Sequence, residues 1–549
     1  MARAHHLHGL ALTSAARFPD RAAVVMPRSG ATPARTLTYA ELSREARRAT
    51  TVLAGAGVGP GDFVGIWMEK TPDAIVALLA IMARGAAYVP LDPMAPAPRI
   101  ARIIRNAGIA VLVTTGDKAA ARCAELHASA SLPSLRHIVV PSLVEGAALP
   151  TGATLTAWSD ADDVSHAHPG VTAGYLAYVL HTSGSTGDPK GVAIAHDDAL
   201  AFVEIAAEFW GATEHDVFAC HAPLHFDLTV FDVFVALRAG ASVVLLPEFY
   251  SAFPKKMAEA IDTHRITVWN SVVSALSLIV DKVDMSRFSL ASVRHVIFSG
   301  ELMPMRVLRK VRAAFGSARL FNVYGQTEAN TSMFHEVITI PEDDGARLPI
   351  GKALPGFEVF ALGEGGRVVQ APGEEGELHV RGAAVASGGY LRDDIRTGER
   401  FVVDPQLPHT RRRVYKTGDR VRLENDGSWS FVGRADNLIK TRGYRVELGE
   451  VELSMQSATG VGEATVLAIP SDTIGHELVA FVVAADGATV DAKTILAHVA
   501  ARLPAYMVPG SLHVLASFPR TSTQKVDRKA LTAQLTALVP ATSKPGGGA

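Results

Sequence analysis

Short runs of β-branched and apolar residues alternate with stretches of helical periodicity over much of the first 325 residues. Strands are predicted at 63–67, 87–91 and 109–114, with helices at 73–84 and 98–106. After residue 191 strands are predicted at 217–221, 242–246, 266–270, 293–299 and 320–323, with helices at 228–238, 254–264, 272–280 and 304–315. Parallel strands need a long crossover connection, which is usually a helix. The alternation therefore predicts parallel sheets covered by helices on both faces.

The pattern changes in the last third of the chain. From residue 351, short strands separated by Gly-rich turns, such as GEGGR at 363–367, predict a β-rich subdomain. Past residue 432, two helices and three strands fall within about 100 residues, which is enough for a separate α+β domain. We expect an α/β protein in which two αβ subdomains and a β-rich subdomain form a large N-terminal domain, followed by a small C-terminal domain.

Composition excludes several classes of protein. The 53 Lys and Arg residues nearly balance the 55 Asp and Glu residues, so no nucleic acid partner is implied. The longest apolar run, 74–83, ends at Arg84 and is shorter than the ~20 residues that span a bilayer, so no membrane association is expected. Cys123 and Cys220 lack the C-x-x-C spacing of zinc or redox sites, which favours a reducing, cytoplasmic compartment.

The segment LAYVLHTSGSTGDPKGVAIAH at 176–196 carries the clearest chemical signal. Its glycines allow successive backbone N–H groups to face phosphate oxygens, while the hydroxyls and Lys190 add donors and charge. It is not a Walker A loop, because Pro189 and Gly191 stand where that motif has Gly and Ser or Thr. A solvated Gly-rich turn is the alternative interpretation of this loop taken alone.

This loop resembles the phosphate loop of the adenylate-forming superfamily, which includes acyl-CoA synthetases, luciferases and peptide-synthetase adenylation domains. Other motifs of that family recur in the family's order and cover nearly the whole chain. They are LTYAEL at 37–42, AAYVPLDP at 86–93, NVYGQTE at 322–328, GELHVRG at 376–382, YKTGDRVR at 415–422, GRADNLIKTRGYRVELGEVE at 433–452 and STQKVDRKAL at 522–531.

The resemblance implies a nucleotide site for ATP. Its residues are Thr182, Ser183, Ser185, Thr186, Gly187 and Lys190 at the phosphates, Gly300 and Glu301, Asn322 and Tyr324 around adenine, Thr327 at the α-phosphate, Asp419 at the ribose and Arg434. Glu328 would ligate Mg²⁺, which is usually bound by carboxylates together with substrate phosphates. A solvated surface carboxylate is the alternative for any one acidic residue alone.

The resemblance also implies a mobile C-terminal domain that rotates about a hinge at Asp436 and brings Lys525 into the site. A lysine between two anions lowers the cost of their approach. The implied division is 1–433 for the core, 434–436 for the hinge, 437–535 for the C-terminal domain and 536–549 for a disordered tail. Gln524 and Gln326 replace the usual Gly and Pro, and neither departure falls on a catalytic group.

Asp227 indicates which carboxylate is activated. It falls where amino-acid-activating members pair an Asp with the substrate ammonium, and a fatty acid would leave this carboxylate without a partner. An N-cap role for Asp227 at the following helix is the alternative. The pocket implied by the motifs is lined by Asp227, Leu228, Phe231, Asn270, Ile297, Ser299, Val323, Thr331 and Ser332. This lining favours a small or neutral side chain such as alanine, serine or cysteine, and leaves a β-amino acid open.

The leading hypothesis is a free-standing amino acid adenylation enzyme of natural-product biosynthesis. It would form aminoacyl-AMP from ATP, Mg²⁺ and an amino acid, then load the phosphopantetheine thiol of a separate carrier protein. The alternatives are an acyl- or aryl-CoA ligase of the same fold and a non-catalytic nucleotide-binding protein. The histidines His215, His221 and His225 invite a zinc site, but their spacing favours another role.

Overall fold

The computed structural model describes residues 5–30, 33–129, 132, 134–144, 153–164, 170–183, 188–434, 438–471, 474–485, 487–520 and 526–538. The chain divides into two units. The larger unit comprises Met1–Thr182, Pro189–Asp436 and Arg442–Tyr444, and the smaller comprises Ser183–Asp188, Asn437–Thr441 and Arg445–Ala549. The predicted hinge at 434–436 stays a prediction, because residues 435–437 lie outside the described part of the chain.

The largest sheet of the larger unit is parallel at its centre and antiparallel at both edges. In spatial order its strands are Lys352–Ala353, Asn330–Glu336, Arg319–Gln326, His295–Ser299, Val268–Val272, Val217–Cys220, Ser242–Leu245, Ala22–Met26 and Arg35–Thr38. The central strands are almost wholly buried, as expected for a sheet with both faces covered.

A second sheet is parallel except for one antiparallel edge pair. Its strands, in spatial order, are Thr154–Ala157, His137–Val140, Val111–Val113, Phe63–Ile66, Ala87–Pro90, Leu176–Thr182 and Lys190–Ala195. Both sheets follow the predicted alternation, since a helix connects most of the parallel neighbours.

Two helices of the larger unit begin with side-chain N-caps. Pro72 occupies the first turn of one helix, and the Thr71 side chain accepts from the Ala74 amide at 3.3 Å. Thr38 and Glu41 form a reciprocal capping box on another. The α-helices are Gly9–Arg17, Tyr39–Gly55, Pro72–Ala83, Ala97–Ala107, Gly116–Ser129, His196–Phe209, Leu228–Val230, Ala236–Ala239, Pro254–Thr263, Val273–Lys282, Met305–Phe315 and Asp394–Arg400.

The predicted helix 228–238 contains a local irregularity. A π-helical stretch, Phe231–Val235, lies between the α-helical turns Leu228–Val230 and Ala236–Ala239. Such π-bulges add one residue to a turn and occur frequently at functional sites. Hydrophobic periodicity alone does not distinguish this geometry from an α-helix, so the irregularity was not predicted.

The β-rich part of the larger unit is an antiparallel sheet. Its strands are Phe357–Leu362, Glu375–Gly382, Arg413–Leu423, Phe401–Val403 and Trp429–Arg434. Its core is built around the buried side chains of Leu378, Val421 and Trp429. This sheet confirms the change of pattern after residue 351.

The smaller unit is α+β. Strands Val461–Ser471 and Gly475–Ala484 pair antiparallel, and Ser511–Leu515 adds a parallel edge. The helices are Leu448–Gln456, Ala492–Ala500 and Arg528–Leu538. The strand Leu438–Thr441 also belongs to this unit, and the strand Tyr444–Glu447 belongs to it from Arg445 onward. The fold class predicted from the sequence is confirmed for both units. None of the helices in the described part of the chain combines the length and apolar character needed to cross a bilayer.

An ion pair fastens the amino ends of three neighbouring parallel strands. Asp216 precedes the strand Val217–Cys220 and is 4% exposed. Its carboxylate accepts from Arg294 Nε and Nη2 at 2.7 Å each, and from Thr267 Oγ1 at 2.7 Å. Burial raises the pKa of Asp216, but the Arg294 guanidinium and the other donors outweigh it and hold the pKa below its ordinary value.

We predict that Asp216→Asn lowers the free energy of unfolding by about 2 kcal/mol at pH 7, because charge-assisted hydrogen bonds to a buried carboxylate are lost. A lowered folded-state pKa stabilises the fold above the unfolded pKa of about 4 and loses that effect as the pH falls. The difference between wild type and variant, measured by urea unfolding, should therefore shrink below pH 4. Glu208→Gln, at an exposed carboxylate, is the control. An undiminished difference at pH 3 would contradict this account.

Candidate functional site

The parallel register brings the predicted pocket residues to one edge of the largest sheet. Asn270 lies opposite Cys220 on one neighbouring strand and opposite Ile297 on the other. Ser299 lies opposite Val323 on the next pair. In open α/β sheets, ligands bind beyond the carboxyl ends of such strands. The register therefore assembles, from distant parts of the sequence, residues assigned to one pocket.

Asp227 lies just beyond this edge, in the segment that follows the strand Val217–Cys220. It occupies the N-cap position of the next helix, but its side chain makes no capping hydrogen bond. Instead its Oδ2 accepts from Thr327 Oγ1 at 2.8 Å. The Asp227 side chain therefore does not cap the helix, contrary to the alternative interpretation. The contact joins the residue assigned to the substrate amine to the residue assigned to the α-phosphate.

Glu328 is fully buried beside this contact. The hydroxyl of Tyr390 donates to its Oε1 at 2.6 Å. Lys190 Nζ lies 5.4 Å from the centroid of the same tyrosine ring, at the first residue of the strand Lys190–Ala195. Tyr390 therefore links a residue of the predicted phosphate loop to the predicted metal ligand. Sequence reasoning missed Tyr390, which lies some 60 residues beyond the motif that it supports.

Asp419 accepts hydrogen bonds from several side chains. It lies on the strand Arg413–Leu423 and is 3% exposed. Tyr324 donates its hydroxyl to Oδ2, Gln326 Nε2 donates to the same oxygen at 2.7 Å, and Arg434 Nη1 donates to Oδ1. The structure thus brings together Tyr324, Asp419 and Arg434, three residues assigned to the nucleotide.

Gln326 was not assigned to the site from the sequence, and in the structure it contacts the residue assigned to the ribose. Its Oε1 accepts from the Tyr415 hydroxyl, and its Nε2 also donates to the Thr417 carbonyl at 3.2 Å. The side chain is 7% exposed, and both ends of its amide are used. The sequence did show that Gln326 replaces the family's usual proline. It did not show that the side-chain amide of this residue contacts Asp419.

The predicted pocket residues differ in their exposure. Phe231, Asn270, Ile297, Val323 and Ser332 are buried, and Asp227, Leu228, Ser299 and Thr331 are half-buried. The Phe231 ring packs edge-on against Trp210 and Phe218, with centroids 5.2 and 5.8 Å away. Ser332 Oγ is buried and has no hydrogen-bond partner among the described residues.

Asp232 is a second acidic residue on the amino acid side that sequence reasoning missed. The π-helical stretch carries it, it is 1% exposed, and its Oδ1 accepts from Asn270 Nδ2 at 3.0 Å. Burial raises the pKa of Asp232 well above its ordinary value, although Asn270 and Lys70 oppose the shift. Burial therefore disfavours the ionised form of this carboxyl group.

The remaining described nucleotide residues contact protein groups. Asn322 Nδ2 donates to the Pro349 carbonyl at 2.7 Å, and Glu301 accepts from the Ser274 amide at 2.8 Å. Gly300, beside Glu301, has φ +91°, a backbone conformation that favours glycine. Thr182 ends its strand, and the Ser183 hydroxyl donates to the Arg445 carbonyl at 2.8 Å.

Five predicted residues lie outside the described part of the chain: Ser185, Thr186, Gly187, Asp436 and Lys525. Residues 539–549 of the predicted tail at 536–549 lie outside it as well, whereas 536–538 end the helix Arg528–Leu538. Among the described residues, no group of three or more His, Cys, Asp or Glu side chains is arranged to hold a metal ion. His221 stacks on Trp269, and His225 lies against Phe226, while His215 is largely exposed.

Comparisons with known proteins agree with this arrangement. Residues 12–391 match the model of the AMP-binding enzyme family, and residues 450–525 match that of the AMP-binding enzyme C-terminal domain. A proline–[prolyl-carrier protein] ligase of Pseudomonas fluorescens is 35% identical over 96% of this chain and 99% of its own length. A ligase of the same name from Streptomyces coelicolor is also 35% identical, over 90% and 91%.

A solved structure gives the same result. The amide bond synthetase McbA from Marinactinospora thermotolerans superposes with a TM-score of 0.80 at 26% identity, covering 96% of this chain and 99% of its own. The resemblance noted from the motifs is thus confirmed. The chain belongs to the AMP-binding enzyme family and is an ATP-dependent ligase of the amino acid adenylation type.

Proposed function

We propose that this ligase activates a small, neutral amino acid and then loads it onto the phosphopantetheine thiol of a separate carrier protein. A substrate carboxylate oxygen attacks the α-phosphorus of ATP, the bond to the β-phosphate breaks, and pyrophosphate leaves. The carrier thiol then loses its proton, its sulfur attacks the acyl carbon, and AMP leaves as the thioester forms. The contact between Asp227 and Thr327 carries this proposal, because it couples the amine site to the α-phosphate site. The names of the carrier-protein ligase relatives support the second step.

Asp227 is proposed to pair with the substrate ammonium, so that each charge balances the other at a half-buried position. Lys525, from the segment outside the described residues, is proposed to bridge the substrate carboxylate and ATP after rotation about Asp436. The proposed ATP contacts are Thr182, Ser183, Ser185, Thr186, Gly187, Lys190, Gly300, Glu301, Asn322, Tyr324, Thr327, Asp419 and Arg434.

Glu328 is proposed to ligate Mg²⁺. A buried carboxylate positioned by Tyr390 and adjacent to Thr327 offers the hard oxygen donor that Mg²⁺ prefers. When bound, the ion would neutralise charge on the phosphates. The protein's own part is to hold Glu328 and Lys190 on either side of Tyr390.

A small neutral side chain is proposed because the pocket residues are apolar or uncharged apart from Asp227. Apolar surface comes from Leu228, Phe231, Ile297 and Val323. Burial disfavours ionisation of the nearby Asp232. Alanine, serine and cysteine meet this description. The proline named for both ligase relatives is also compact and uncharged in its side chain.

We further propose a reducing, cytoplasmic compartment for the protein and a domain boundary at residue 433. Cys123 and Cys220 are both buried and free, which supports a reducing, cytoplasmic compartment. The division at 433 with a hinge at 434–436 is supported by the second family model, which matches within 450–525.

The proposed function predicts exchange of labelled pyrophosphate into ATP that depends on a small neutral amino acid. A panel of all proteinogenic amino acids, with D-alanine and β-alanine added, should show its highest rates with alanine, serine, cysteine or proline. Lysine, aspartate and tryptophan serve as the charged and bulky controls. A panel in which no amino acid supports exchange, while a free carboxylic acid does, would identify a CoA ligase instead.

We predict that Asp227→Ala lowers kcat/KM for the amino acid at least about 100-fold, because the substrate ammonium loses its counter-charge. Pyrophosphate exchange measures this, and ATP binding by isothermal titration should change little. Glu208→Ala, at an exposed carboxylate on the helix His196–Phe209, is the matched control. Full activity of Asp227→Ala would remove the amino acid assignment.

We predict that Gln326→Leu weakens recognition of the ribose, because the amide orients Asp419. The variant should raise KM for ATP about tenfold and reduce the preference for ATP over 2′-deoxy-ATP. The KM for the amino acid should not change. Gln326→Glu places a second carboxylate beside Asp419 and should be worse than Gln326→Leu. Equal losses with ATP and 2′-deoxy-ATP would show that Gln326 acts only on stability.

A further inference from the structure

Lys70 is a buried lysine that no sequence motif identified. It lies in the short connection between the strand Phe63–Ile66 and the helix Pro72–Ala83, and it is 1% exposed. Its Nζ donates to the carbonyl oxygens of His221 and Ala222, each at 2.8 Å. The side chain therefore reaches from one sheet to the segment that leaves the carboxyl end of a strand in the other.

The burial of this ammonium is unfavourable by itself. A buried charge normally has an opposite charge beside it, because desolvation is not recovered otherwise. In the described part of the chain, no carboxylate lies within ion-pair distance of Lys70 Nζ, which instead contacts two backbone carbonyls. Carbonyl oxygens of a helix or strand would accept from backbone amides, so these two are available because the segment is irregular. The Nζ contacts therefore hold an irregular backbone. Two acids lie near this lysine: its charge acts to lower the pKa of the buried Asp232, and its backbone amide donates to Glu248 Oε1 at 2.9 Å.

The fixed segment ends at Asp227. The Phe226 amide donates to the Pro223 carbonyl at 3.0 Å, and Thr229 Oγ1 donates to the Phe226 carbonyl at 2.6 Å. Only residues 223–226 separate the two carbonyls held by Lys70 from Asp227. With Lys70 at one end and Thr229 at the other, the turn has little freedom to shift.

The electrostatic effect of Lys70 is evident at the same segment. Burial, with a contribution from the Lys70 charge, lowers the pKa of His221 to about 3. His221 is therefore neutral, and its ring stacks on Trp269 with centroids 5.8 Å apart. The beginning of the segment is thus held by a hydrogen-bonded cation on one side and a ring contact on the other.

We propose that Lys70 is a positioning residue for the amino acid substrate: by holding the carbonyls of His221 and Ala222, it sets the location of Asp227 relative to the substrate ammonium. This inference rests on the proposed role of Asp227 in amino acid binding. It predicts that a change at Lys70 alters KM for the amino acid and not KM for ATP. If Lys70 served only the stability of the fold, both KM values or neither would change.

The test compares Lys70→Met and Lys70→Arg with wild type in pyrophosphate exchange, using L-alanine, L-serine, L-cysteine and L-proline. Lys70→Met removes both hydrogen bonds at nearly constant volume, and should raise KM for the amino acid at least tenfold while KM for ATP changes less than twofold. Lys70→Arg keeps donors and charge and should lie between the two. Lys256→Met, at an exposed lysine, is the matched control.

A double-mutant cycle with Asp227→Ala separates positioning from general stability. If Lys70 acts through Asp227, adding Lys70→Met to Asp227→Ala should change kcat/KM less than twofold. Should Lys70→Met fail to fold, Thr229→Val loosens the other end of the same segment and should also raise KM for the amino acid selectively. Additive losses, or equal increases in both KM values, would overturn the inference. Wild type without exchange on any of the four amino acids would instead overturn the proposed substrate class, and this inference with it.

Discussion

The parallel register of the largest sheet is the constraint on which the rest of the site depends. Parallel neighbours place all their carboxyl ends at one edge, so Asn270, Ile297 and Val323 come close although the sequence separates them widely. The opposite edge is fastened by Asp216 and Arg294, whose contacts span the starts of three strands. The ion pair stabilises the sheet at the amino ends of the strands, and the irregular segments that hold the polar side chains lie at the opposite edge, beyond the carboxyl ends.

The buried polar groups at that edge satisfy one another in small sets. Asp419 is held by Gln326, Tyr324 and Arg434, Glu328 by Tyr390, and Asp227 by Thr327. Each set joins residues from distant parts of the sequence, so the loss of one member removes a hydrogen bond from another member of the set. Gln326 and Tyr390 thus position side chains to which the chemistry is assigned.

The strands and helices that were predicted from the sequence lie within two or three residues of their observed bounds, because apolar periodicity and glycine or proline punctuation are local. Other elements, such as the helix Tyr39–Gly55, were not predicted. The sequence did not predict the π-helical stretch Phe231–Val235, since a single inserted residue leaves the apolar pattern unchanged. It also missed Lys70, Tyr390 and the contact of Gln326 with Asp419. The contacts of these three residues are with partners between 62 and 152 residues away in the sequence. A motif specifies neither such distant partners nor the direction of a side chain.

The two acidic residues on the proposed amino acid side bear on the proposed choice of substrate. Asp227 is half-buried against a hydroxyl, whereas Asp232 is wholly buried against an amide. Burial raises the pKa of Asp232 well above its ordinary value, with Asn270 and Lys70 opposing the shift, so burial disfavours a second negative charge beside Asp227. Under the proposed role of Asp227, a substrate with one ammonium finds its counter-charge there. A second ammonium, as in a basic side chain, would need an ionised Asp232, and burial opposes that ionisation. The carboxyl group that the π-helical stretch carries into the interior therefore argues against a basic amino acid as the proposed substrate.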